Sequence, residues 1–355
     1  MSFLHTILTS DQIKAIDAAP LFAGDRHPTW SALFQQHASA TDFLTRKAAD
    51  ALACLPDQRE AMLNVIERAA GTENIPDAAA ALAELRAFGA MLEAGFSVQP
   101  ITAGGKRGAT PDFVVNAGDG EVTVEVHARH EAGQQTTFRQ AVANGKELPG
   151  VDRRSEKVGD HTVTFTTTAL YPGGKPDPNN PFDSIQANVI SRLCRAKDKE
   201  AQRREGVPSV LWLDLSRFGA MTHTLLEQTI PLVSGHVGLT SSAIWHAFYG
   251  WKGAPILEEG NRKRIEMGHE GRFRLSGSKK SHLAAVIICF EKGLVLLENP
   301  WADIRLPHMF RRHCERLPWF KLGHSVADWT PGETETLIAL AAKRIAALAA
   351  ERHLS

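Results

Sequence analysis

Asp112, Glu125 and His127 are the residues whose types and spacing point most directly to chemistry. Asp112 stands at the start of an otherwise apolar segment, Pro111-Asp112-Phe113-Val114-Val115. Glu125 and His127 lie two apart, so a strand there places both on one face and Val124 and Val126 on the other. Between the two segments, Gly118-Asp119-Gly120 is a turn signal for a hairpin. Folding that hairpin brings the beginning of one strand near the end of its partner, so Asp112 and Glu125 can converge. Two carboxylates meeting at one point are costly unless a cation neutralises them. Mg²⁺ or Mn²⁺ suits such oxygen ligands, with waters and a substrate phosphate filling the remaining positions. A third acid, Glu84, sits on the preceding helix and could reach the same point. Periodicity alone is equally compatible with a solvent-facing strand carrying ordinary polar residues.

The elements that must position these groups follow from the periodicity of the chain. Residues 1–75 read as helical, broken by Leu55-Pro56 and Gly71. Pro76-Asp77 opens an amphipathic helix with Asp77 as N-cap, Leu82, Leu85, Phe88 and Leu92 at helical spacing, and Gly95 as its stop. Strands are expected at 96–103, 111–117, 120–128, 161–170 and 207–216, and as a pair within 281–300. Helices are expected over 183–205, 220–232, 241–250 and 333–352.

The order of helix, strand, Gly-rich turn, Thr110-Pro111-Asp112-Phe113 strand, turn and Glu125-Val126-His127 strand resembles the PD-(D/E)xK nuclease superfamily. The resemblance covers roughly residues 77–216 and implies a restriction-endonuclease-like α/β fold. Its mixed central sheet has an αβββαβ core, with an N-terminal helical region and a C-terminal helix around it. It divides the chain into a helical region 1–75, a nuclease-like domain 76–310 with an insertion at 129–182, and a helical tail 311–355. It implies a metal-dependent endonuclease, in which Asp112 and Glu125 bind Mg²⁺ or Mn²⁺, Glu84 assists and the Val126 carbonyl is a further ligand. The metal would acidify a bound water and stabilise charge on the scissile phosphate. The substrate would be nucleic acid, DNA rather than RNA by superfamily habit, in a role such as restriction or phage defence. One departure matters: His127 stands where the family carries a lysine. Either imidazole manages the nucleophilic water, or a lysine has moved to the next helix, with Lys197 and Lys199 as candidates, or catalysis is lost. The last alternative makes the protein a nucleic-acid-binding or assembly subunit. Lys106, Arg107, Arg195, Lys199 and Gln202 are the expected nucleic-acid contacts.

Charge is compatible with that partner. The 355 residues hold 40 Lys+Arg and 40 Asp+Glu. The neutrality is a sum of unlike parts, because residues 1–100 hold 7 basic and 12 acidic residues and the remainder is basic. Basic clusters lie at 192–204, 261–280 and 305–321. A composition 43% hydrophobic and 23% charged is that of a folded chain. No apolar run reaches membrane-spanning length and the N-terminus lacks a signal-peptide pattern, so a cytoplasmic protein is expected, either as a homo-oligomer or with a protein partner. The four cysteines show no CxxC spacing and read as reduced thiols. HExxH, GxxxxGK[ST] and GxSxG patterns are absent, which sets aside zinc-hydrolase, P-loop and serine-hydrolase chemistry.

Overall fold

The computed structural model describes residues 3–22, 24–35, 39–101, 110–130, 152–167, 175–180, 183–194, 204–217, 243–256, 265–275, 280–291 and 293–320, with scattered positions in 136–144 and 336–350. Its helices are α1 (Ser10–Ala18), α2 (Trp30–Phe34), α3 (Ala40–Cys54), α4 (Pro56–Ala61), α5 (Leu63–Ala70), α6 (Ile75–Glu93), α7 (Ile185–Cys194), α8 (Ala243–Tyr249) and α9 (His308–Cys314). The strands are β1 (Ser97–Pro100), β2 (Phe113–Asn116), β3 (Glu121–His130), β4 (Asp152–Val158), β5 (His161–Thr167), β6 (Ser209–Arg217), β7 (Pro255–Ile256), β8 (Ile265–Glu266), β9 (Leu283–Phe290) and β10 (Gly293–Glu298).

Six strands form one mixed sheet in the order β1-β2-β3-β6-β9-β10. The strands β1, β2 and β3 are joined antiparallel; β3, β6 and β9 run parallel; β10 returns antiparallel to β9. Continuous apolar runs such as Leu283–Phe290 suit strands buried on both faces, and every residue of β9 is buried. Helices α7 and α8 cover one face, where Val189, Ile190, Leu193, Ile244 and Phe248 pack on Leu211, Leu213, Val286 and Ile288. The other face carries Val124, Val126, Val210 and Trp212 against α6 and the N-terminal helices. Residues from α1, α3, α5, α9, Leu317 and Phe320 belong to that same core. The regions 1–75 and 311–320 are therefore packed into one core with the sheet. No helix among the described residues is long and apolar enough to cross a membrane.

Helix α6 departs from its expected form in two ways. Its N-cap is Asn74, whose side chain accepts from the Asp77 N–H at 3.2 Å, so Asp77 lies in the first turn. Asn and Asp cap by the same chemistry, and Pro76 is tolerated inside the first turn. The helix is also apolar nearly all round, with Ala78, Ala81, Leu85, Phe88 and Met91 all buried, because it is sandwiched between α3 and α5 on one side and the sheet on the other. Its stop is as expected. Gly95 takes φ +88°, and the Phe96 and Gly95 N–H groups close back on Met91 and Leu92.

Small residues let α6 approach α3. A Cβ on Gly89 would press on the Leu44 carbonyl oxygen and lie 2.8 Å from the Ala48 nitrogen, both backbone atoms. Gly89→Ala should therefore force the helices apart and cost about 1–3 kcal/mol in denaturant unfolding. A cost under a few tenths would mean that the two helices yield freely.

His27 ties the loop before α2 to the end of α5. It is 3% exposed, and its Nε2 lies 2.9 Å from the Gly71 carbonyl while its Nδ1 faces the Thr29 N–H at 3.3 Å. The second contact requires an acceptor, so the fitting form is neutral, with the proton on Nε2. Burial, the largest cause, and Arg217 both hold its pKa below the ordinary value near 6.5, against the opposing Gly71 hydrogen bond. The unfolded chain thus takes up a proton at a higher pH than the folded one, and stability falls as pH drops below about 6.5. Unfolding free energies measured from about pH 7 to pH 5 should show this fall, and His27→Gln should flatten it. An unchanged slope in that variant would assign the loss to other groups.

The strand expected at 161–170 is found as β5, and its partner is β4, which forms a separate ribbon turning at Gly159 (φ +62°). The helix expected over 241–250 is α8, and the pair within 281–300 is β9 and β10. The helix expected over 183–205 is present as α7 up to Cys194. The helix expected at 220–232 and the apolar positions of the one at 333–352 lie outside the described residues.

Candidate metal centre

The hairpin of β2 and β3 brings Asp112 to the Val124–Val126 stretch of β3, which contains Glu125. The β2–β3 register ends at Phe113 opposite Val124, and Asp112 is a bend just before β2. Three hydrogen bonds fix Asp112 there. Its N–H donates to the Val124 carbonyl at 3.1 Å, and its carbonyl accepts from the Ile101 N–H at 2.9 Å. Its Oδ2 accepts from the Val126 N–H at 2.7 Å, taking over where the β2 backbone ends. The Val126 carbonyl lies along that same edge of β3, since N–H and C=O of one strand residue point the same way.

Glu125 occupies the middle of β3 and is only 1% exposed. Its neighbour on β6 is Leu211, and that of His127 is Leu213. Both side chains are therefore on the face covered by α7, as their spacing of two demands. A carboxylate buried to this degree stays charged only beside a cation or hydrogen-bond donors. Asp112 and His127 are partly exposed, so the pair opens from a buried carboxylate toward solvent.

Glu84 is not brought to this pair. It lies on α6, across the sheet from the Glu125 face, and β3 is an interior strand that separates the two. Its Oε1 sits 3.2 Å from Arg68 Nη1, and Arg68 also holds Asp77 at 2.7 Å. The Arg68 guanidinium keeps the Asp77 carboxyl below the usual carboxylate range. Lys106, Arg107, Arg195, Lys197, Lys199 and Gln202 lie outside the described residues.

Other buried acids have structural partners. Glu298 takes a bidentate fork from Arg311 at 2.8 and 3.0 Å. Asp214 Oδ2 accepts from Arg86 Nη1 at 3.1 Å, and its Oδ1 accepts from the Ser216 N–H. The Arg86 pair was not anticipated from the sequence. Its one local signal is a lone arginine amid the buried alanines and leucines of α6, a position that demands a buried partner.

Among the described residues, no three His, Cys, Asp or Glu side chains gather as a metal cage. Two carboxylates and a backbone carbonyl instead fit a cation that keeps several waters and takes substrate phosphate, as Mg²⁺ does. Comparison with known families, characterised proteins and solved structures finds no match to this chain.

Proposed function

We propose that this protein is a Mg²⁺- or Mn²⁺-dependent nuclease with a restriction-endonuclease-like core. The observation that carries the reading is the Asp112 carboxylate held by the Val126 N–H at 2.7 Å, on the residue of β3 that follows the buried Glu125. The sheet supports it, because α6, β1, β2, β3, α7 and β6 follow in the αβββαβ order with β6 parallel to β3.

In this reading Asp112, Glu125 and the Val126 carbonyl hold the metal. When bound, the metal lowers the pKa of a water and stabilises charge on the phosphate. The Val126 N–H fixes the orientation of the Asp112 carboxylate, and Glu125 sits on the sheet face whose apolar residues pack against α7. His127 follows Glu125 on the same face, partly exposed with its Nε2 buried, and a neutral imidazole there can take a proton from the attacking water. DNA is the favoured substrate. The replacement of the family's lysine by His127 favours one competing reading, a subunit that binds nucleic acid without cutting it.

Purified protein incubated with plasmid, single-stranded DNA and RNA decides between the two. The nuclease reading expects cleavage with Mg²⁺ or Mn²⁺ that a chelator stops. His127→Ala should slow it about a hundredfold or more while sparing nucleic-acid binding. Binding without cleavage under either metal would leave the non-catalytic subunit.

A further inference from the structure

A cavity of about 590 Å³ lies on the other side of the sheet from Glu125, bordered by α2, the start of α3, α6 and the end of β6. It sits beyond the carboxyl ends of the parallel strands β6 and β9, where open α/β sheets receive ligands. Its size is that of a metabolite pocket. Its lining mixes polar groups with Pro28 and Trp319, and it carries two cations, Arg86 and Arg217, and two acids, Asp42 and Glu291. Arg86 from α6 meets Ser216 at the end of β6, next to Arg217, while Asp42 and Ser39 lie at the start of α3 and Glu291 follows β9.

The Arg86 side chain is 7% exposed. Its Nη1 is engaged by Asp214 and by Ser216 Oγ, at 3.1 and 2.8 Å. Its Nε–H is buried and meets no acceptor among the described residues. A guanidinium held by one nitrogen, with a second donor left over beside a polar cavity, is matched to a forked oxyanion. Arg217 is anchored by Asp25 at 3.3 Å. Asp42, lining the cavity from the start of α3, is 6% exposed, and its Oδ1 accepts from Ser31 Oγ at 3.0 Å. A buried carboxylate there seeks further donors.

We propose that this cavity binds a small metabolite with a phosphate or carboxylate at one end and a hydroxyl or amine donor at the other. The oxyanion lies against Arg86 and Arg217, and the donor lies against Asp42. This site is separate from the proposed metal centre, so each stands or falls without the other.

Calorimetry and thermal unfolding of the full chain test the proposal with four probes: inorganic phosphate, adenosine 5′-monophosphate, glutamate and uncharged adenosine. At least one oxyanion probe should bind and raise the melting temperature, and adenosine should not. The tightest of the three distinguishes a phosphate ligand from a carboxylate one. Arg217→Gln should weaken that probe about tenfold or more. Asp42→Asn should weaken a donor-bearing probe while leaving inorganic phosphate unchanged, and Asp112→Asn should leave every probe unchanged. Binding by none of the oxyanions, equal binding of adenosine, or full affinity in Arg217→Gln would overturn the proposal.

Discussion

Asp112→Asn should reduce metal-dependent cleavage by about a hundredfold or more while leaving the protein folded. Metal chemistry contributes several kcal/mol to a phosphoryl-type transition state, and each 1.36 kcal/mol is about a factor of ten in rate. The substitution removes the charge and keeps the shape. The asparagine Oδ1 can still accept the 2.7 Å hydrogen bond from the Val126 N–H, so the joint between β2 and β3 survives. Glu125→Gln should lose activity to a similar extent, because a neutral amide cannot supply the charge a hard cation needs. Cleavage rates and melting curves on the same samples separate loss of chemistry from loss of fold. Cleavage at the wild-type rate in Asp112→Asn would remove Asp112 from the site.

The second large effect is on stability. Arg86→Met should cost about 3–5 kcal/mol, because it leaves Asp214 charged and 3% exposed with its buried cation gone. The Ser216 N–H and hydroxyl still donate to Asp214 Oδ1, at 2.9 and 2.5 Å, which places the expected loss toward the lower end. Arg86→Met combined with Asp214→Leu should recover most of that loss, since a well-packed apolar pair replaces a buried ion pair at little net cost. Denaturant unfolding of Arg86→Met, Asp214→Leu and the double variant measures the coupling. A single variant that loses under about 1 kcal/mol would mean that water reaches Asp214 in the folded protein.

The hairpin that builds the candidate site was legible because its signals are local. Gly118-Asp119-Gly120 marks the turn, and strict alternation in 121–127 sets the faces. Together they bring Asp112 to the stretch of β3 that contains Glu125, where Asp112 meets the Val126 N–H. The side of the sheet that Glu84 faces was not legible. Helical spacing fixes which residues share a stripe, but not on which side of a sheet the helix packs. The pairing of Arg86 with Asp214 spans 128 residues, and no local pattern encodes it. Strand β4 reads Asp-Arg-Arg-Ser-Glu-Lys-Val, polar at successive positions, so the alternation that reveals a half-buried strand is missing. The choice between Asn74 and Asp77 as cap turned on one turn of helix, within which both residue types serve equally well.

The central claim is that Asp112 and Glu125 hold a divalent cation, and titration of Mn²⁺ into the metal-free protein, followed by calorimetry, tests it most directly. Wild type should bind with a defined stoichiometry, and both Asp112→Asn and Glu125→Gln should abolish or severely weaken that binding. Binding that is absent in wild type, or unchanged in both variants, would contradict the account.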